Sequence, residues 1–268
     1  MLKLTSENYF SKEAAQAYFS VSQYKDFCGT YGMRGCEARA IAKIRGEWEQ
    51  EITPSLLIGS FVDAHFEGTL DVFQAQHPEI FTKGGDLKSE YKQALNIIAR
   101  CERDQYLMKC MSGEKQIIFT GEIFGVPWKG KIDSLLTKAI VDLKVMKSIR
   151  DSFWVKDLGH VSFVEYWGYN VQAAIYQKLV EINTGKKLPF LIAAASKEKE
   201  PDIEVIGFTQ KDLDDTLSLV FTNIVRINDL KLGKAESTRC EVCDYCKRTK
   251  VLTHPVHYSD LIGQGGPE

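Results

Sequence analysis

The chain has 268 residues, of which 44% are hydrophobic and 26% are charged, the composition of an ordinary globular protein with a sizeable core. Its formal net charge of −2 excludes a whole-molecule basic field, so any contact with nucleic acid must use local basic patches. No apolar run approaches the roughly 18 residues that a membrane span requires, and we expect a soluble, cytoplasmic protein with no membrane partner. The seven cysteines, an odd number, argue against a disulfide framework and leave metal binding or burial as their role.

Helix signals dominate the first hundred residues. Thr53 and Pro54 fit the N-cap and the first position of a helix that ends at Gly68. Ser22 fits the N-cap of a shorter helix, after which glycines interrupt the pattern before it resumes. The sequence predicts helices over residues 23–27, 37–44, 54–67 and 87–107.

A period-two pattern of β-rich composition starts at residue 116. It predicts a meander of three strands, followed by a helix that opens at the capping-box pair Ser162 and Glu165, two further strands and a final long helix. The strands are predicted over 116–124, 128–136, 139–145, 189–195 and 203–208, and the helices over 162–183 and 209–230.

The chain carries no internal repeat and no linker rich in proline, glycine and serine that is long enough to separate two domains. We therefore predict one domain over residues 1–258, with a flexible tail over 259–268. Helices before and after a central sheet predict a layered α/β (α+β) architecture.

Two acidic residues face each other in the predicted meander. If Thr137-Lys138 forms a two-residue hairpin turn, Asp133 lies directly opposite Asp142, with Cβ atoms roughly 4.5–5.5 Å apart. Strand alternation puts Lys144 on the same face as Asp142. Two facing carboxylates repel each other, and a divalent cation such as Mg²⁺ would offset that cost. The alternative is that both aspartates lie at solvent-facing strand ends, paired with Lys131 and Lys144.

The residues around this pair resemble a known signature. The stretches Gly130-Lys131-Ile132-Asp133 and Val141-Asp142-Leu143-Lys144 resemble the PD-(D/E)xK motif of restriction-endonuclease-like nucleases. Further segments resemble the RecB-type and exodeoxyribonuclease VIII-like branch found in phages, in the correct order over nearly the whole chain: residues 20–24, 57–62, 172–176 and 243–246. The resemblance implies a restriction-endonuclease-like core, in which helices flank a central mixed β-sheet.

The resemblance also implies roles for single residues. The implied metal ligands are Asp133 and Asp142, with the backbone carbonyl of Leu143 as a further candidate. Lys144 is the implied catalytic lysine. Gln172 and Tyr176 match the family's Q-x-x-x-Y motif, and their i, i+4 spacing puts both on one helical face, where they can reach the site or the DNA backbone. The alternative for this pair is a helix face packed on the sheet.

A third metal ligand is open between two residues. Many relatives carry a metal-binding histidine four residues after the glycine of the helix over 54–67, and here that position, counted from Gly59, is Asp63. His65 lies two residues further, roughly 200° around the helix, so both side chains cannot easily face one ion. Asp63 is the preferred ligand, because a carboxylate suits Mg²⁺ or Mn²⁺, and His65 is its substitute.

Three cysteines near the C-terminus are separated by two residues each. Cys240, Cys243 and Cys246 can fold around one metal centre, but zinc or a [4Fe–4S] cluster normally needs a fourth thiolate. The resemblance implies Cys36, because relatives with an iron–sulfur centre, including AddB-type and CRISPR-adaptation nucleases, take one ligand upstream of the glycine helix. Cys28 is the reserve candidate. An iron–sulfur cluster is preferred, with zinc and a metal-free cluster as alternatives.

The predicted function is a metal-dependent DNA exonuclease that uses Mg²⁺ or Mn²⁺. By the resemblance, it makes single strands for an annealing protein in phage recombination or acts in DNA repair. Related exonucleases include ring-shaped assemblies, and the sequence leaves the oligomeric state open. One alternative is a non-catalytic cysteine-cluster protein that holds nucleic acid through its basic residues 226–250. The other is an endonuclease or a helicase-associated nuclease subunit with the same site.

Overall fold

The computed structural model describes residues 2–261. The helices of this part of the chain are α1 Lys12–Ala17, α2 Val21–Cys28, α3 Glu37–Arg45, α4 Pro54–Glu67, α5 Leu70–Gln76, α6 Lys92–Glu102, α7 Gln105–Cys110, α8 Phe163–Tyr166, α9 Tyr169–Thr184, α10 Gln210–Lys231 and α11 Asp244–Arg248. Its strands are β1 Gly29–Thr30, β2 Met33–Arg34, β3 Glu114–Ile123, β4 Val126–Leu135, β5 Ile140–Met146, β6 Ser152–Val155, β7 Gly159–Ser162, β8 Phe190–Ser196 and β9 Ile203–Gly207. Single 3₁₀ turns lie at Pro78–Ile80, Ser89–Tyr91 and Tyr258–Leu261.

A five-stranded sheet in the order β3-β4-β5-β8-β9 forms the centre of the molecule. β5 and β8 run parallel, and the other neighbours run antiparallel. Val141 and Leu143 of β5 pack against α4 and α6 on one face, while Ile140 packs against α9 on the other. Because both faces are covered, β5 reads as a nearly continuous apolar run. The result is a single mixed α/β domain with helices on both faces of a mixed sheet, which confirms the predicted fold class.

The meander β3-β4-β5 confirms the predicted strand register. The backbone N–H of Leu136 donates to the carbonyl of Ala139 at 2.9 Å and closes the predicted two-residue turn. Ser134 then lies opposite Val141. The next residues along the two strands are Asp133 and Asp142.

Helix α4 has the predicted bounds. The Thr53 hydroxyl accepts the N–H of Leu56 at 3.3 Å, and the chain leaves the helix at Gly68 with a φ of 77°. Leu57 and Phe61 are buried against the sheet and α6. This packing fixes the rotation of the helix and therefore the direction of its acidic side chains.

Two predicted long helices are each divided, and these two predictions were wrong in extent. Within 87–107, the Asp104 side chain accepts the N–H of Leu107 at 2.9 Å and starts α7 as a new helix. Within 162–183, the capping box of Ser162 and Glu165 is present, but it opens the short α8, and Gly168 turns the chain with a φ of 62° before α9. The hairpin β6–β7 and helices α1, α5 and α11 were not predicted.

The two ends of the chain complete the description. Residues 262–268 of the predicted tail lie outside the described residues, and 259–261 belong to the last 3₁₀ turn. Between residues 2 and 261, no helix has both the length and the apolar character that a bilayer crossing demands.

Candidate active site and metal centre

Asp133 and Asp142 lie at the point where β4 and β5 separate. The last paired residues are Ser134 and Val141. Beyond them, the backbone N–H of Leu143 donates to the side chain of Asp133, on Oδ2 at 3.0 Å. The separation of the strands therefore opens a gap into which both carboxylates project.

The Asp142 carboxylate is buried between two polar partners. It is 2% exposed, it accepts a hydrogen bond from Gln172 Nε2 on Oδ1 at 2.6 Å, and its Oδ2 forms an ion pair with Lys144 Nζ. Burial raises the pKa of Asp142 to about 7, although the Lys144 ammonium opposes the rise. For Lys144, burial alone would lower the pKa, but Asp142 and Asp133 together raise it above its ordinary value. The lysine therefore keeps its proton at neutral pH.

Helix α4 brings Asp63, and not His65, to this gap. Asp63 Oδ1 is buried and has no hydrogen-bond partner among the residues of the described chain. Burial, and next the charge of Asp133, raise the pKa of Asp63 well above its ordinary value. The His65 ring instead lies 2.8 Å from Glu102 Oε1, on another side of the helix.

Two further polar residues at the site were missed at the level of sequence. Glu67 lies one helical turn after Asp63, and Gln116 Nε2 donates to Glu67 Oε1 at 2.6 Å and lies 3.5 Å from Asp133 Oδ1. Gln116 has a φ of 56°, a strained value for a residue inside a strand. The i, i+4 spacing of two acids on α4 is a signal that could have identified Glu67.

The motif pair on α9 has two different environments. Gln172 and Tyr176 share one helical face and both line the cleft, as their spacing predicted. Tyr176 is also packed against β4, where a Cβ at Gly130 would lie 3.0 Å from the tyrosine ring. Burial raises the pKa of Tyr176 well above its ordinary value, so the phenol stays protonated. Gln172 thus contacts the acidic group directly, while Tyr176 fixes the helix against the sheet.

These residues line a cleft with a volume of about 330 Å³. Its walls also carry the cationic side chains Lys25, Lys129 and Lys131. Lys25 Nζ donates to the carbonyl of Trp167 at 2.8 Å, and Lys129 Nζ donates to the carbonyl of Tyr9. Burial lowers the pKa of Lys25 to about 7 and that of Lys129 to about 8, so the positive charge that the cleft offers to a phosphate backbone is greatest below neutral pH.

Four cysteines from distant parts of the sequence meet near the N-terminus of α3. The sulfur atoms of Cys36, Cys240, Cys243 and Cys246 all lie within 4.8 Å of one another. Cys36 Sγ is 3.6 Å from Cys246 Sγ, and Cys240 Sγ is 3.9 Å from it. Cys28, the reserve candidate, is exposed on α2 and does not belong to this cluster.

Comparison with known proteins identifies the family. Residues 20–249 match the model of a family described as "PDDEXK-like domain of unknown function (DUF3799)". The chain belongs to this PDDEXK-like family. A crystal structure of a protein from Eubacterium rectale, described as a "putative exonuclease", is 53% identical, and the match has a TM-score of 0.95 and covers 98% of this chain and 99% of that one. The search among curated proteins found no match.

The acidic site of the PDDEXK-like domain fits a hard divalent cation. Asp63, Asp133 and Asp142 offer carboxylate oxygens, which Mg²⁺ and Mn²⁺ prefer. A buried carboxylate oxygen without a partner is costly unless an ion or a water satisfies it, and Asp63 Oδ1 is such an atom. The residues present therefore fit the metal that the family signature implies.

The cysteine cluster of the PDDEXK-like domain fits a thiolate-bound metal. Cys36 and Cys243 are the N-cap residues of α3 and α11, so two short turns of the chain bring their sulfur atoms to the cluster. Burial opposes ionisation of Cys240, but backbone N–H groups, including that of Cys243 at 3.4 Å, lower its pKa to about 7, whereas burial raises the pKa of Cys243 and of Cys246. A single tetrahedral ion with metal–sulfur bonds of about 2.3 Å places its sulfurs about 3.8 Å apart. The observed sulfur separations fit such an ion, whereas a four-iron cluster requires the thiolates to move apart.

Proposed function

We propose that this protein is a metal-dependent deoxyribonuclease that hydrolyses phosphodiester bonds with Mg²⁺ or Mn²⁺. The observation that carries the proposal is the buried Asp142, held by Gln172 and paired with Lys144 directly beside Asp133 and the unpartnered Asp63. Three acids and an ammonium group have no reason to share a buried gap in a purely structural core. A bound cation would neutralise the acids, and a bound phosphate would neutralise the ammonium group.

Each residue of the site would have a separate role. Asp63, Asp133 and Asp142 would hold the ion, which when bound polarises a phosphoryl oxygen and lowers the pKa of a coordinated water. Lys144 keeps its proton and would stabilise the negative charge that develops on the attacked phosphate. Gln172 orients the Asp142 carboxylate through Oδ1.

Lys25 and Lys131 would bind the DNA backbone, while Lys129, which is 4% exposed, donates to the carbonyl of Tyr9 and holds the N-terminal segment. Lys25, Lys129 and Lys131 lie on the same walls as the acidic residues, within one cleft. Their charges attract phosphates and compensate for the overall negative charge of the protein. A local patch of this kind explains how a chain with a net charge of −2 can bind DNA.

We further propose that cleavage is exonucleolytic. The similar protein from Eubacterium rectale is described as a "putative exonuclease", and the sequence resembles exodeoxyribonuclease VIII-like enzymes. Such an activity would supply single strands to an annealing protein in phage-type recombination or in DNA repair. An endonuclease would use the same site and differ in the substrate ends that it requires.

Linear and covalently closed circular DNA of one sequence test this proposal. With Mg²⁺, the protein is expected to degrade the linear form progressively and to leave the circle intact, and EDTA is expected to stop the reaction. Cleavage of the circle would replace the exonuclease with an endonuclease. Intact DNA in both forms would overturn the proposed activity and favour a binding protein.

We propose that the four cysteines hold a structural metal. The centre would join Cys36 to residues 240–246 and close a loop of about 200 residues, which stabilises the fold by roughly 5 kcal/mol in the chain-entropy description. The short sulfur separations favour zinc, while the resemblance favours [4Fe–4S]. Metal analysis and a visible spectrum after anaerobic purification distinguish the two. A colourless protein without zinc and iron would overturn the centre.

A further inference from the structure

An aromatic ring stands exposed at the mouth of the acidic cleft. Phe10 is 79% exposed, although it lies among residues that line the cleft. Its neighbour Tyr9 is buried, and the two rings meet edge to face with centroids 4.9 Å apart. Lys131 Nζ lies 5.2 Å from the centre of the Phe10 ring. An apolar ring in this position contributes little to the core and is accessible to a ligand in the cleft.

The segment that carries Phe10 is held in place on both sides. The Asn8 side chain accepts the N–H of Thr5 at 2.7 Å, and the Ser11 side chain caps α1 by accepting the N–H of Ala14 at 3.1 Å. Lys129 binds the carbonyl of Tyr9 and so connects the segment to β4. The ring of Phe10 is therefore presented by an ordered turn.

Phe10 also lines a second cavity of about 310 Å³ between α4 and α5. Asp63 lines both cavities, so the second one begins at the acidic site itself. Its walls combine the carboxylates of Asp63 and Glu67 with apolar and neutral polar side chains, among them Ser60, Thr69, Phe73 and Gln76. An aromatic face beside hydroxyl and amide groups is the chemistry that recognises a nucleobase.

We propose that Phe10 stacks on the base of the terminal nucleotide of the DNA strand in the cleft, and that the edge of this base enters the second cavity. The proposal rests on the proposed nuclease function. Stacking of one base on an aromatic side chain contributes roughly 5- to 150-fold in affinity. Phe10 would thus hold the end of the strand while Lys131, beside the ring, binds its phosphate.

Fluorescence of 2-aminopurine tests the stacking directly. We would place this base at the 5′ end, at the 3′ end or in the interior of a short DNA, and measure its fluorescence with the Lys144→Ala variant in Mg²⁺, in which the DNA stays intact. With Phe10 present, quenching is expected at one end and not in the interior. Phe10→Ala should abolish the quenching and weaken binding roughly 5- to 150-fold, and Phe10→Trp should restore both.

A matched control separates stacking from a general loss of surface. Tyr106 is 62% exposed on α7, away from the cleft, and Tyr106→Ala should leave quenching and affinity unchanged. Equal quenching with Phe10→Ala, quenching at every position, or no quenching at either end would overturn the proposal. Failure of the nuclease proposal looks different, because the wild-type protein would then leave linear DNA uncut in Mg²⁺ whatever residue occupies position 10.

Discussion

Asp133 accepts a hydrogen bond from the backbone N–H of Leu143 at 3.0 Å, across the two strands that carry the candidate catalytic residues. The bond forms directly beyond Ser134 and Val141, the last residues that pair β4 with β5. It fixes Asp133 Oδ2 and leaves Oδ1 near Gln116. The backbone of β5 thus orients the Asp133 carboxylate, which is the kind of preorganisation that catalytic sites require.

Replacement of Gln172 tests the support of the metal ligand. Gln172→Ala removes the donor to Asp142 Oδ1, and we expect Mg²⁺ affinity or cleavage to fall roughly 10- to 100-fold, the usual effect of an outer-sphere partner. Cleavage rates over a Mg²⁺ titration measure this loss. Asn183→Ala, at the far end of the same helix, is the control. Equal behaviour of the two variants would contradict the role of Gln172.

Asp63 and His65 form a natural pair of test positions on α4. Asp63→Asn should weaken Mn²⁺ binding and cleavage strongly, whereas His65→Ala should change neither by much, because His65 contacts Glu102. The raised pKa of Asp63 means that its charged form destabilises the metal-free fold above its unfolded pKa, so Asp63→Asn should raise the melting temperature in EDTA. If His65→Ala loses the metal and Asp63→Asn retains it, His65 and not Asp63 is the metal ligand.

Cys36 is the one member of the cysteine cluster that lies far from the other three in the sequence. Cys36→Ser should abolish metal content and lower the melting temperature by roughly 10–20 °C, the equivalent of about 5 kcal/mol for a domain of this size. Cys28→Ser, at an exposed position outside the cluster, should leave both unchanged. Metal analysis and thermal unfolding measure the two effects, and a Cys36→Ser protein with unchanged metal content and melting temperature would show that Cys36 is not a ligand.

DNA affinity should fall as the pH rises from 6 to 8. Burial, and next the charge of Lys144, lower the pKa of Lys25 to about 7, so this side chain is charged below neutrality and loses its attraction for phosphate above it. Lys25→Arg should flatten the profile, because arginine stays protonated throughout. Binding in EDTA, measured at several pH values, provides the comparison. Identical slopes for the two proteins would assign the dependence to other groups, such as Asp142.

The register that brings Asp133 and Asp142 close together could be predicted from the sequence for a physical reason. A two-residue turn fixes the register of a hairpin, and strand alternation then decides which residues share a face. The family resemblance supplied Cys36, which no local pattern connects with residues 240–246. The separate directions of Asp63 and His65 followed from helix geometry, but which of them meets the sheet depends on how α4 packs.

Other features depend on tertiary contacts that a local pattern does not contain. Gln116, with its positive φ, interrupts the pairing of β3 with β4 between the pairs Lys115–Ser134 and Ile117–Ile132. The exposure of Phe10 depends on where its segment crosses the cleft. By contrast, the break before α7 had a readable signal, since Asp104 is a favourable N-cap residue.

The most direct test of the account compares cleavage and binding of linear DNA by the wild-type protein, Asp142→Ala and Lys144→Ala in Mg²⁺. We expect the wild-type protein to degrade the DNA, and both variants to lose cleavage while they still bind it, because the cationic walls of the cleft are unchanged. Undiminished digestion by either variant would contradict the claim that a cation held beside Asp142, with the Lys144 ammonium next to it, carries out the reaction.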